Sequence, residues 1–300
     1  MSAPAWPELD VASWAPTKKS LHLYTQMLGK LRLALSPSQP NWMFTALQLT
    51  ARGVTTGPLP YRAGTVQATL DVFASALIVE TSDGRSEQVA LVPARTVAAV
   101  FAALHDALAA LDVDVTLTAI PQEVADVTPL DADTRPAAYE PAAVQRWFAV
   151  LSATAGVFEA ARAPFFGRTG IQLWWGALDL ALLLFSGKHV PAPTTRGYLL
   201  RYDLDAEMLN VGFYPGDEGG APFFYGYNFP QPEGAPQLPV PDGATWSTQL
   251  SEWVLPYDTV RAAADPAAAL RAFVDTLYAL CFSAAGWDRD ALTYAAPKKR

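Results

Sequence analysis

The feature that most constrains this 300-residue chain is an echo between its two halves. Gly29-Lys30 is followed, after a gap, by Trp42 and then Ala46-Leu47-Gln48-Leu49. Gly167-Arg168 is followed, after a shorter gap, by Trp174-Trp175 and then Ala177-Leu178-Asp179-Leu180. A helix-like stretch precedes each copy; β-like segments and then a helix follow it. Similar halves tend to pack on one another, and a pocket forms at the join. The expected class is α+β with mostly antiparallel sheet. Its parts are a first half over residues 1–120, a Pro-rich linker over 121–141 and a second half over 142–300, packed as one pseudo-symmetric unit.

Periodicity fills in the elements. Leu21, Tyr24, Leu28, Leu31 and Leu35 recur at spacings of three and four, which predicts a helix over 17–35 ending before Pro37. Strands are expected over Trp42–Ala51, Val66–Val72, Ala76–Thr81, Gln88–Val92 and Val113–Ile120. Asp83-Gly84 marks a hairpin turn, because that pair tolerates positive φ. Pro93 and Pro141 open helices, and Pro266 opens a third behind the cap Asp265. Ile171–Phe185 reads as a buried helix or as one or two strands, with Gly176 and the parallel in the first half favouring strands; Ser186–Gly197 reads as a loop, and Leu209–Tyr214 and Phe223–Phe229 as further strands. Prolines 121, 129, 136 and 141 define the linker.

Composition narrows the function classes. At 51% hydrophobic and 17% charged, the chain can bury a large core. A net charge of −8 opposes nucleic-acid binding, which calls for a basic patch. The basic clusters are Lys18-Lys19 and Lys298-Lys299-Arg300, the latter read as a solvated tail. One cysteine, Cys281, excludes an intrachain disulfide and fits a reducing compartment. Residues 1–10 have the make-up of no secretory leader, and the apolar run Ala177–Phe185 is far shorter than the roughly 20 residues that span a bilayer. The expectation is a cytoplasmic protein with no membrane or nucleic-acid partner.

No motif of a known catalytic, nucleotide or zinc site is present, and no cofactor or metal is implied. His22, Gln26 and Lys30 are spaced by four along the first helix, so they share one side of it. Together they can bind a polar or anionic ligand, and His22 can move a proton. The competing reading is a solvated helix face. Arg52 stands before Gly53 at a strand end, where it can reach a carboxylate or phosphate. Asp179 lies in an apolar run; ionised there, it costs several kcal/mol unless paired, which implies a cation such as Arg52 or Lys30. That pair is either catalytic or a lock between the halves. Trp174, Trp175, Tyr214, Tyr225 and Tyr227 can wall a ligand slot or fill the core.

The chain resembles an uncharacterised bacterial family, domain of unknown function 5996, over nearly its whole length. The resemblance rests on Leu21 to Arg32 (LHLYTQMLGKLR), Thr50 to Thr56, Trp175 to Leu180, Phe185-Ser186-Gly187, Gly212 to Gly216 and Gly286-Trp287-Asp288. In the family's pattern the positions of Gln172 and Ala206 are often His, so this chain departs there. The resemblance implies no known reaction.

The leading expectation is a small-molecule binder or enzyme with a polar, aromatic-walled pocket between the halves and a small, anionic ligand. His22 and Asp179 are the catalytic candidates, and Gln26, Lys30, Arg52, Trp175 and Tyr227 the ligand-binding ones. The alternative is a non-catalytic interaction or scaffold protein in which the same polar groups form an internal ion-pair network.

Overall fold

A computed structural model describes residues 6–194 and 197–294. The basic tail and residues 195–196 of the expected loop lie outside them.

Helix α1 (Val11–Leu35) is capped by Asp10, whose carboxylate accepts from the backbone N–H groups of Ala12 and Ser13. From Ser20 to Arg32 every residue of this helix is buried, so its polar side is covered rather than solvated. A helix buried all round is unusual unless its polar groups find partners. Those partners are loop carbonyls, described below.

The first sheet follows: β1 (Gln48–Thr50), β2 (Gly53–Thr55), β3 (Leu59–Tyr61), β4 (Gly64–Asp71), β5 (Ala76–Thr81) and β6 (Ser86–Ala90). All pairings are antiparallel, in the order β1-β2-β4-β5-β6, with β3 also on β4. Helix α2 (Val97–Ala110) packs on β5 and β6 and starts later than expected, because Thr96 rather than Pro93 caps it. The expected strand over Trp42–Ala51 is mostly a 3-10 turn, Pro40–Trp42, and a loop. Asn41 (φ 58°) and Trp42 (φ 53°) take left-handed backbone, which no strand admits. Val113–Ile120 is not a strand either. The carbonyl of Ile120 at its end, and that of Gln122 just beyond, accept from side chains of α1.

The second half opens with α3 (Pro141–Arg162). Its sheet comprises β7 (Arg168–Trp174), β8 (Asp179–His189), β9 (Ala206–Tyr214), β10 (Phe223–Phe229), β11 (Thr245–Ser247) and β12 (Glu252–Pro256). The order is β11-β12-β10-β9-β8-β7, again antiparallel throughout. The remaining helices are α4 (Tyr198–Asp203), α5 (Tyr257–Arg261), α6 (Pro266–Ser283) and α7 (Arg289–Leu292). Helices α3 and α6 pair and cover one face of this sheet. Strand β8 runs on to His189, into the segment read as loop.

The class is α+β, and each half runs helix, antiparallel sheet, helix. The echoed residues sit differently, however. Gly29-Lys30 lies inside α1, whereas Gly167-Arg168 enters β7. Leu47 bridges to Leu173, each donating to the other's carbonyl at 2.9 Å, and so ties the two sheets edge to edge. One core, holding Leu28, Leu70, Trp147, Leu180 and Phe213 together, spans both halves. The 121–141 segment is packed against it through Leu130, Ala137 and Tyr139. No described helix is long and apolar enough to cross a membrane.

Candidate functional site

The residues spaced by four on α1 meet two backbone segments: Gln26 and Lys30 reach residues 120–122, and His22 reaches residues 175–176. Gln26 forms two bonds with Gln122: its Nε2 donates to the carbonyl at 2.7 Å, and its Oε1 accepts from the N–H at 2.8 Å. Lys30, 1% exposed, donates from Nζ to the Ile120 carbonyl at 2.6 Å, with its charge 5.9 Å from the Trp175 ring. No carboxylate accompanies it, and burial pushes its pKa down to about 8. Arg32 donates to the carbonyls of Phe44 and Thr56. These side chains therefore satisfy irregular backbone that has no strand partner.

His22 is different, because part of it faces open space. Its Nε2 lies 2.9 Å from the carbonyls of both Trp175 and Gly176. Two acceptors require the proton on Nε2, which leaves Nδ1 with its lone pair. Burial, then the nearby Lys18 charge, lower the pKa to about 4, so the ring is neutral at pH 7.

The ring lines a cavity of about 480 Å3 between α1, residues 123–135 and the turn from β9 to β10. On one wall Lys18 donates to the Tyr214 hydroxyl at 3.1 Å and lies 3.6 Å from Asp217, to which Tyr214 also donates. On another, Arg135 grips Asp133 with two bonds and Asp126 with a third, at 2.6–2.7 Å, and Lys19 lies 3.7 Å from Asp126. Every lining cation thus has a carboxylate. Glu123 and Glu218 form no ion pair among the described residues. Burial raises the pKa of Glu123, whose carboxylate rests on Gly176, where a Cβ would lie 2.2 Å from Oε1.

The other sequence candidates lie elsewhere. Arg52 does not reach Asp179. It pairs with Asp71 at the turns of the first sheet, where Asp71 also accepts from the N–H groups of Phe73 and Ala74. Lys30 does not pair with Asp179 either. The partner of Asp179 is Tyr225, whose hydroxyl donates to Oδ2. Burial pushes the Asp179 pKa up to about 6. Trp175 is core: its indole lies against Gly29 and donates to the Thr45 carbonyl at 2.9 Å. Tyr227 stands on the second sheet, bonded to Asn210 at 3.1 Å. Of the seven candidates, His22 alone lines the cavity.

Sequence reasoning missed Lys18, Glu123, Asp126, Arg135 and Asp217. Lys18 was within reach, since it precedes His22 by four on the same helix side. The acids and Arg135 sit in segments that read as linker and flexible turn. Among the described residues no group of three or more His, Cys, Asp or Glu is placed to hold a metal ion.

The match to the model of the family of unknown function DUF5996 runs over residues 6–294, so the chain belongs to that family. No curated protein and no solved structure matches it.

Proposed function

We propose that the protein binds a small polar molecule in the cavity at the join of its halves. One observation carries this reading. The cavity of about 480 Å3 is lined by two residues with acceptors to which no described protein group donates, His22 through Nδ1 and Glu123 through its carboxylate. Its volume is that of a metabolite-sized site. The walls favour a ligand that donates hydrogen bonds. An anionic ligand, the expectation from sequence, fits less well, because Lys18, Lys19 and Arg135 are already matched by carboxylates. A histidine that stays neutral down to about pH 4 is a weak base, so binding fits the site better than proton transfer. A cytoplasmic setting, bacterial origin and descent by internal duplication belong to the same proposal, supported by the lone buried cysteine and the repeated helix–sheet–helix order.

The scaffold alternative keeps one supporting fact: Gln26, Lys30 and Arg32 are spent on internal carbonyls. A thermal-shift screen against a metabolite library separates the two readings. A ligand at this site raises Tm, loses its effect in His22→Ala and Glu123→Ala, and keeps it in Arg52→Ala, which lies off the site. A screen without hits, or hits indifferent to His22 and Glu123, refutes the pocket.

A further inference from the structure

We propose that the ligand of the cavity is a small organic cation, an ammonium or guanidinium group with N–H donors, seated between the Glu123 carboxylate and His22 Nδ1. This deepens the reading above and rests on it, since it gives the occupant of that cavity a charge.

Charge is the first ground. Asp217, Asp126 and Asp133 answer the cations that line the cavity, Lys18, Lys19 and Arg135. Two lining carboxylates, Glu123 and Glu218, are left without an ion pair among the described residues. The cavity is therefore acidic in net terms, and its walls concentrate that field on whatever enters. Lys18, whose charge acts on His22, does not offset it, because Asp217 and the Tyr214 hydroxyl already engage its ammonium.

The second ground is how His22 and Glu123 are brought together. His22 is 8% exposed, and its Nε2 is spent on the carbonyls of Trp175 and Gly176. Nδ1 has no partner, yet it is not sealed in the interior, so it is reached through the cavity that the ring lines. The Glu123 carboxylate lies over that same Gly176, where an added Cβ would be 2.2 Å from Oε1, so the absence of a side chain there makes room for it. Imidazole and carboxylate thus converge on one residue from two segments of the chain. Gln26 holds the arrangement in place. It pins both the N–H and the carbonyl of Gln122, and Glu123, next in the chain, takes left-handed backbone (φ 54°). Non-glycine residues held in that sparsely populated region by their surroundings cluster at ligand sites. Glu123 accepts no hydrogen bond from a described group, and burial raises its pKa, a state that a cation relieves.

An ammonium or a guanidinium offers several N–H donors and no acceptor. One donor meets Nδ1 and another the carboxylate, where the bond is charge-assisted and strong. A neutral donor satisfies both atoms but leaves the carboxylate charge unmatched, and an anion is repelled by it.

The test is a thermal-shift titration at pH 7 with millimolar propylammonium and propylguanidinium chlorides, which compare two head groups on one tail. Sodium chloride, propionamide and tetramethylammonium chloride are the controls, the last two offering donors without charge and charge without donors. The expected result is a concentration-dependent rise in Tm from at least one N–H cation, larger than from any control, lost in Glu123→Gln and kept in Arg52→Ala. Glu123 makes no bond to a described group, so Glu123→Gln is expected to match the wild-type Tm without ligand, which keeps loss of binding apart from loss of fold. No rise beyond the controls, or a rise that survives Glu123→Gln, overturns the proposal. If propionamide raises Tm as much as the cations and loses its effect in Glu123→Ala, the pocket stands and its preference for a cation falls. If the metabolite screen is also without hits, both readings fail.

Discussion

Gly29 gives a prediction in which two physical effects disagree in sign. It lies inside α1, where Gly→Ala ordinarily stabilises a helix by about 1 kcal/mol. Yet a Cβ at this position would lie 2.3–2.4 Å from atoms of the Trp175 indole, which is 6% exposed and bonded to Thr45. The ring has to move. Overpacking costs about 1–3 kcal/mol, and loss of the indole hydrogen bond costs about 1 kcal/mol more. Packing therefore outweighs propensity, and Gly29→Ala is expected to destabilise by about 1–3 kcal/mol, roughly 5 °C in Tm. Gly156→Ala in α3 is the control. That glycine is exposed, and nothing lies within 4 Å of its built Cβ. It should gain up to about 1 kcal/mol. Urea denaturation of both variants decides the matter. If Gly29→Ala is as stable as Gly156→Ala, the close approach of helix and indole is not real. His22 then loses the explanation of its setting too, since one of its two acceptors is the Trp175 carbonyl.

Other consequences are as open to measurement. Because the Lys30 pKa is lowered to about 8 from 10.5, the unfolded chain holds more protons between those values, and this group makes stability rise with pH across that window. Lys30→Met should abolish that pH dependence, as urea titrations at pH 7 and 9.5 would show. Gln26→Leu strands the Gln122 N–H and carbonyl, so it should cost roughly 1–3 kcal/mol and speed protease cleavage near residues 118–128. The His22 ring should appear by 15N NMR as the neutral Nε2–H form at pH 6 and titrate near pH 4. Since its folded pKa lies below the unfolded one, stability from this group falls as pH drops from about 6.5 to 4. A midpoint near 6.5 would place the ring in water.

The α+β class, the antiparallel hairpins and the capped helices were legible because their signals are local. The spacing of His22, Gln26 and Lys30 was legible as well, but not what covers it. The partners of Gln26 and His22 lie 96 and 153 residues away, in loops without periodicity. Asp179 was rightly singled out as a buried carboxylate, yet its partner is a tyrosine hydroxyl rather than a cation. Gly212, on the strand between, leaves room for the Tyr225 ring to cross, and that requires the register to be known. Around Trp42 the alternation suggested a strand, but two successive left-handed residues decide otherwise. The charged knot of Asp126, Asp133 and Arg135 was hidden because proline-rich sequence reads the same whether it is tethered or free.

The first helix and the residues just before it are fastened by segments late in the chain. The Trp14 indole donates to the Pro215 carbonyl, and the Tyr257 hydroxyl donates to the Pro7 carbonyl. During synthesis, residues 7–35 must therefore wait for more than two hundred others to leave the ribosome before these bonds close. A nascent chain halted before residue 215 is expected to keep Trp14 open to quenchers, and release beyond residue 257 to hide it.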